Sequence, residues 1–392
     1  MVVHQYYHRD PRVRRYAETL AKSGIKVDII CPRYLNGKKV KDHKNIRIFT
    51  IPLKRNYKGR ENYIYEYILA FLLYFIRINI LFFKNRYHII HIHNMPDFLI
   101  FTAFLPKILG TKLILDIHDL MPEAFISKYK VTEKNYFIKL MKIQERISAR
   151  FAHVVITANS NFKNNLVKRG ITFHEITVIN NIADTNIFDR KKYQKNKNNK
   201  HFTLIYPGTV APRYGLDVAI RALPFLSEKI PNLKLIIIGT QVEYTKELKN
   251  LIKELNVIDN VQFISTLPIE EIPQKIINAD IGIYTAISDI HIDIATPTKV
   301  IEYAIMGIPI VATRLKVLED LFDPSSIMFF ESGNVEGFSD CIMKLYNNPS
   351  LKTQLVQNAD HNFVNKHSWE QEKNKYYNLL NSILKNGYKV TQ

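Results

Sequence analysis

Residues 296–309, TPTKVIEYAIMGIP, set a lysine and a carboxylate three positions apart on what reads as one short helix. Thr296 suits the N-cap, Pro297 the first helical position and Gly307 the stop, while Val300, Ile301, Ala304 and Ile305 supply a buried stripe. Free N–H groups and the dipole at a helix start both attract anions, so Thr296, Pro297, Thr298 and Lys299 form a candidate phosphate site. Glu302, one turn further in, is placed to accept hydrogen bonds from a ribose diol. A second segment, YPGTVAPRYGLD at 206–217, also follows a strand-like run and precedes a helical one. There Gly208, beside Thr209, lets backbone approach a phosphate closely. The chemistry these residue types suit is the binding of a sugar nucleotide at the edge of an α/β sheet.

Such residues need a frame, and the chain's 392 residues exceed one comfortable core, which predicts two α/β domains. In the first half KVDIIC, IRIFTI, HIIHIH, KLILDI, HVVITA and ITVI read as strands alternating with helical stretches, the pattern of a covered parallel sheet. Asp10 and Pro11 start one such helix and Gly24 ends it. Only Met1 to His4 remain for a first strand, so that strand is expected to be clipped. The second half restarts with TLIYPGT, LKLIIIG, VQFIS, IGIYTA, IPIVAT and SIMFF. The expected division is a domain over 1–188, a polar linker over 189–200, a second domain over 201–365, and a terminal segment over 366–392.

The helix at 296–309 resembles the KxxEYxAxGxPVVA segment of the retaining glycosyltransferases of family 4, which have the two-domain GT-B fold. Lys299, Glu302, Tyr303, Gly307, Pro309, Val311 and Ala312 match it in position, and Ala304 stands one place before the pattern's alanine. The resemblance implies two Rossmann-like doubly wound domains facing a cleft, with residues 366–392 crossing back to the first. It also implies a nucleoside diphosphate sugar as co-substrate, no cofactor and no metal. In that family the phosphate loop bears an Arg after its glycine and a Lys before the second glycine. Here those places hold Thr209 and Tyr214, which leaves Arg213 to pair with Lys299 against the leaving diphosphate. A family Glu is replaced by Ile294, with Asp289 or Asp293 as substitutes near the donor sugar. LDIHDLMPE at 115–123 resembles the family's HD segment, making His118 a cleft residue with Asp119 beside it, and HIHNMPD adds Asn94. The base is expected near Phe263 and Ser265. Where relatives carry a Gly-rich loop, this chain has Arg12, Arg14 and Arg15, which suit a lipid diphosphate acceptor, with Arg14 and Arg15 alternatively forming the solvent face of the helix.

The net charge of +19 is uneven: residues 1–200 hold 37 Lys+Arg against 15 Asp+Glu, while residues 201–392 hold 18 against 21. Nucleic acid is not the expected partner, since no zinc-finger spacing, RNA-binding aromatic motif or Arg-rich arm occurs. The basic half instead suggests the inner face of the cytoplasmic membrane. The apolar run IYEYILAFLLYFIRINILFF at 64–83 would be a helix on the first domain, either buried or lying in the membrane interface. Two isolated cysteines, Cys31 and Cys341, and no visible signal peptide fit the cytoplasm. The expected activity is retaining transfer of a hexose or amino-hexose, with UDP as the favoured nucleotide, to a lipid-linked surface glycan. A sugar-nucleotide epimerase and a decayed basic binding module are the rival readings.

Overall fold

The structure, a computed structural model, describes residues 1–33, 44–53, 60–196, 200–240 and 242–384, and of residues 60–64 the backbone alone. The chain forms two compact units, Met1–Asn181 with Glu370–Gln392, and Ile182–Trp369.

Unit 1 holds strands β1 (Val2–Val3), β2 (Val27–Pro32), β3 (Ile46–Ile51), β4 (Ile89–His93), β5 (Lys112–Ile117), β6 (Val154–Thr157) and β7 (Ile176–Val178). They form one parallel sheet in the order β3-β2-β1-β4-β5-β6-β7. Its helices are α1 (Pro11–Lys22), α2 (Arg60–Asn85), α3 (Phe104–Ile108), α4 (Met121–Tyr129), α5 (Tyr136–Phe151) and α6 (Ser160–Lys168). The start of α1 follows the expected code: the Asp10 side chain accepts from the Val13 N–H at 3.0 Å, with Pro11 first in the helix. Such a cap contributes about 1 kcal/mol.

Unit 2 holds β8 (Phe202–Pro207), β9 (Leu233–Ile238), β10 (Val261–Ile264), β11 (Ile281–Tyr284), β12 (Ile310–Thr313) and β13 (Met328–Phe330). Its parallel sheet runs β10-β9-β8-β11-β12-β13. The helices are α7 (Leu216–Lys229), α8 (Glu243–Glu254), α9 (Ile272–Ile277), α10 (Thr298–Met306), α11 (Lys316–Leu321), α12 (Val335–Asn347) and α13 (Pro349–Ala359). Helix α14 (Trp369–Ile383) follows and packs in unit 1, where the Tyr376 ring lies 4.4 Å from Tyr16 and Tyr377 donates to Thr19 O at 3.0 Å. Both sheets are doubly wound, as the sequence pattern predicts. Strands covered on both faces need continuous apolar runs, and β2 and β11 are buried throughout.

Two boundaries differ from expectation. The division falls at 181/182, and the segment read as a linker at 189–200 belongs to unit 2. Arg190 donates to the carbonyls of Ala304 and Ile305 at 3.1 and 2.7 Å, and Lys195 pairs with Asp280 at 2.8 Å. Polar composition hid a structural role, because long cations can satisfy helix-end carbonyls. Residues 197–199 of that segment and 385–392 of the terminal one lie outside the described residues.

Candidate active site

The reversal of strand order in unit 2 lies between β8 and β11, the place where open α/β sheets bind ligands. Helix α10 packs over it. Gly282 in β11 makes this possible, since a Cβ there would lie 2.5 Å from the Tyr303 ring. The Tyr303 hydroxyl then bonds the carbonyls of Ile205 in β8 and Ile283 in β11 at 3.1 and 3.2 Å, fixing α10 across the reversal. At its far end Gly307 takes a left-handed φ of 70°, the stop the sequence implies. The start differs: Pro297 is the N-cap, Thr298 is the first helical residue, and no side chain caps the helix. Thr296 therefore lies one position outside the cap it was expected to make, and the Val300 N–H bonds the Pro297 carbonyl at 3.0 Å.

Lys299 reaches from this first turn into a tyrosine cage. Its Nζ lies 4.9 Å from the Tyr206 ring centre, 4.8 Å from Tyr214 and 4.9 Å from Tyr284. Gly208 is the fourth wall, because an added Cβ would sit 2.7 Å from Lys299 Cε and 3.2 Å from Nζ. Arg213 stacks on Tyr214 at 5.1 Å, so that one ring contacts both cations. Burial pushes the Lys299 amine down to about 8; Glu302 opposes that shift and Arg213 adds to it. Lys299 and Arg213 are thus brought together as the sequence reading requires, with Glu302 electrostatically linked to the lysine.

The strand ends beside this cage abut through small residues. A Cβ on Gly239, after β9, would meet Gly208 O at 2.2 Å, and the Gly239 N–H donates to Ile264 O at the end of β10. Thr209, exposed, continues from Gly208, and its carbonyl accepts from the Tyr206 hydroxyl at 2.9 Å. Phe263 and Ser265 lie at β10, the edge strand two places from β8. Asp289 accepts from the N–H groups of His291 and Ile292, and Asp293 from the Ser288 hydroxyl, so both order the loop before α10.

In unit 1 the expected residues gather around a carboxylate that the sequence reading did not single out. Asp116, fully buried in β5, accepts from Arg12 Nε and Nη2 at 3.0 Å each. His118 Nε2 lies 3.2 Å from the same carboxylate and 3.1 Å from His93 Nδ1. Burial alone would raise the Asp116 carboxyl, but Arg12 and then His118 hold it well below the usual carboxylate range. Burial lowers His91 and, further, His93, so these stacked rings are neutral at pH 7. Asn94 fixes the loop: its oxygen accepts from the His118 N–H at 2.7 Å, and its amide donates to Asp97 and to the Asp119 carbonyl. Asp119 itself is half-buried beside it.

Arg12 is a correction. As a residue facing an acceptor phosphate it would be solvent-accessible, but it is buried and committed to Asp116 and to Ile179 O at 2.8 Å. Arg14 is half-buried and pairs with Glu18 at 3.4 Å, whereas Arg15 departs from the solvent-face reading, being buried and bonded to Asn181 at 2.7 Å. His91, His93 and Asp116 offer ligand atoms within 4.8 Å of one another, a spacing compatible with a metal. Arg12 already neutralises both carboxylate oxygens, so the group is organised as an ion-pair network.

Two family descriptions cover most of the chain: "Glycosyltransferase Family 4" over residues 12–187 and "Glycosyl transferases group 1" over residues 187–362. The chain belongs to glycosyltransferase family 4. One component of the human phosphatidylinositol N-acetylglucosaminyltransferase is 20% identical over 86% of the chain, which spans 66% of that protein's length. The Staphylococcus aureus capsular polysaccharide biosynthesis glycosyltransferase CapM is 20% identical over 94% of both chains. Anabaena Alr3699/HepE, solved in complex with UDP, superimposes with a TM-score of 0.67 at 15% identity, covering 97% of this chain and 99% of its own. The fold is therefore GT-B.

Within this glycosyltransferase the tyrosine cage is what sequence reasoning missed. Tyr214 is visible in the sequence only as a replacement for a family lysine. Tyr206 and Tyr284 stand near the ends of strands far apart in sequence, and only the sheet order makes them neighbours.

Proposed function

We propose that this glycosyltransferase moves a hexose or amino-hexose from a nucleoside diphosphate sugar, with UDP favoured, to a lipid-linked glycan acceptor in surface polysaccharide synthesis. The observation that carries the reading is the pairing of Lys299 and Arg213 across Tyr214 at the start of α10. Two fixed cations and the dipole of a helix start would neutralise charge developing on a departing diphosphate, a task preorganised dipoles perform without reorganisation. Glu302 would hold the ribose diol, Gly208 and Thr209 would admit the phosphates to the backbone, and Phe263 and Ser265 would flank the base.

Configuration would be retained, with the departing phosphate taking the acceptor proton on the same face. That leaves no need for a glycosidase-type carboxylate pair or for a metal. His118, held by Asp116 and Asn94 in unit 1, would orient the transferred sugar. The UDP preference draws on the HepE complex with UDP, and the glycan acceptor on the capsular role of CapM.

Thermal unfolding of the full chain with UDP, with GDP and with neither tests this. Nucleotide at one hundred times its dissociation constant adds about 2.7 kcal/mol of stability. The expected result is a shift with UDP that Glu302→Ala abolishes while leaving the ligand-free transition in place. A shift with GDP alone would reassign the donor, and no shift with either would remove the donor site from unit 2.

A further inference from the structure

Strand steps β3 to β4, β4 to β5 and β5 to β6 all advance in one direction across the unit 1 sheet. Right-handed crossovers therefore put α2, the 97–108 segment and α5 on the same face. Ring contacts join them: Phe98 lies 6.1 Å from Tyr67 and 6.2 Å from Phe71, while Phe101 lies 5.0 Å from Phe151.

Helix α2 is apolar on two opposite sides. Ala70, Tyr74 and Ile78 face inward and are buried, with the Tyr74 hydroxyl donating to Val3 O at 2.8 Å and Glu66 bonded to His4 at 3.0 Å. The outward row, Ile68, Leu72, Ile76, Ile80 and Phe83, is exposed, Leu72 at 53% and Phe83 at 57%. Ile108 and Leu109 extend it at α3. On α5, Leu140, Ile143 and Ile147 are exposed at helical spacing, and the adjacent row of Lys139, Arg146 and Arg150 is exposed as well. Apolar rows on three neighbouring helices are more than a monomer ordinarily leaves wet.

We propose that this face docks on an anionic bilayer surface, with the apolar rows in the headgroup–acyl boundary and the α5 basic row against lipid phosphates. The basic row selects that occupant. A second copy meeting the same face would bring rows of equal charge together, whereas an anionic leaflet neutralises them. The segment from Tyr65 to Asn85 is long and apolar enough to span, with a mean hydropathy of 1.8. Its inner face is bonded into the domain through Tyr74 and Glu66, so it lies along the interface.

Sedimentation of the full chain with vesicles tests this without nucleotide and so independently of the donor reading. Vesicles of phosphatidylcholine alone are compared with vesicles one-third phosphatidylglycerol. The chain should pellet with the anionic vesicles. Arg146→Glu/Arg150→Glu should lower partition at least tenfold, since each basic residue near the surface contributes roughly fivefold. Ile76→Glu/Ile80→Glu should lower it similarly, with the unfolding temperature and any nucleotide shift unchanged because these side chains are exposed. Partition of either variant within twofold of wild type overturns the proposal. So does absence of wild-type binding, or a dimer abolished by Ile76→Glu/Ile80→Glu in a chain that ignores vesicles.

Discussion

If Lys299 meets the donor diphosphate as proposed, its lowered amine should make nucleotide binding pH-dependent near pH 8. With its value at about 8, the free protein carries the charge on about nine molecules in ten at pH 7 and on about one in eleven at pH 9. On the proposed assignment diphosphate would bind the ammonium form and, once bound, hold the amine charged. The apparent dissociation constant of UDP should therefore double near pH 8 and rise about tenfold from pH 7 to 9. At pH 8 binding should take up about half a proton. Tyr206 and Tyr284, both raised by burial, stay neutral across this range, so the signal belongs to the lysine. Calorimetric titration of UDP from pH 6.5 to 9, in buffers of different ionisation enthalpy, reads both quantities. Lys299→Met should bind more weakly at pH 7 and remove the slope, and comparison with it cancels titration of the nucleotide itself. Lys299→Arg should stay charged throughout and lose the slope while keeping more of the affinity. A flat wild-type profile, or a slope that survives in Lys299→Met, would refute the assignment of Lys299 to the diphosphate.

Gly208→Ala places a Cβ 2.7 Å from Lys299 Cε and should push the amine out of its cage, because a flexible side-chain end can move; the φ of 157° there, which an L side chain rarely adopts, should also lower the stability of unit 2. The pH midpoint of UDP binding should then climb towards the ordinary lysine range and affinity should fall; an unchanged midpoint in calorimetry would show that the cage does not set it. Asp116→Asn leaves the buried Arg12 guanidinium without its charge partner and should destabilise the chain by about 3–5 kcal/mol, read by denaturant unfolding at pH 7. The Asp116 carboxyl is depressed on folding, so its contribution is present above the unfolded value near 4 and is lost as pH falls below it. The gap between wild type and variant should therefore narrow in acid, and a gap that widens there would contradict the ion-pair account.

The sequence by itself determined what depends on local chemistry and period. Buried parallel strands demand unbroken apolar runs, so KLILDI could be read directly as β5. The Asp10–Pro11 start of α1 and the Gly307 stop of α10 follow from capping geometry, and the Lys299–Glu302 pair from helical spacing. Tertiary structure decided everything that needs residues distant in sequence to meet. Arg12, an apparent surface cation, is buried because Asp116 lies more than a hundred positions away on β5. Arg190, in a stretch with linker composition, instead satisfies carbonyls at the end of α10. Tyr206 and Tyr284 close around Lys299 because β8 and β11 are neighbours where the strand order reverses. Local sequence sets the conformation of each element through its backbone and its immediate side chains. Which elements adjoin is fixed by the collective burial of both sheet faces, and that fact is written in no single segment.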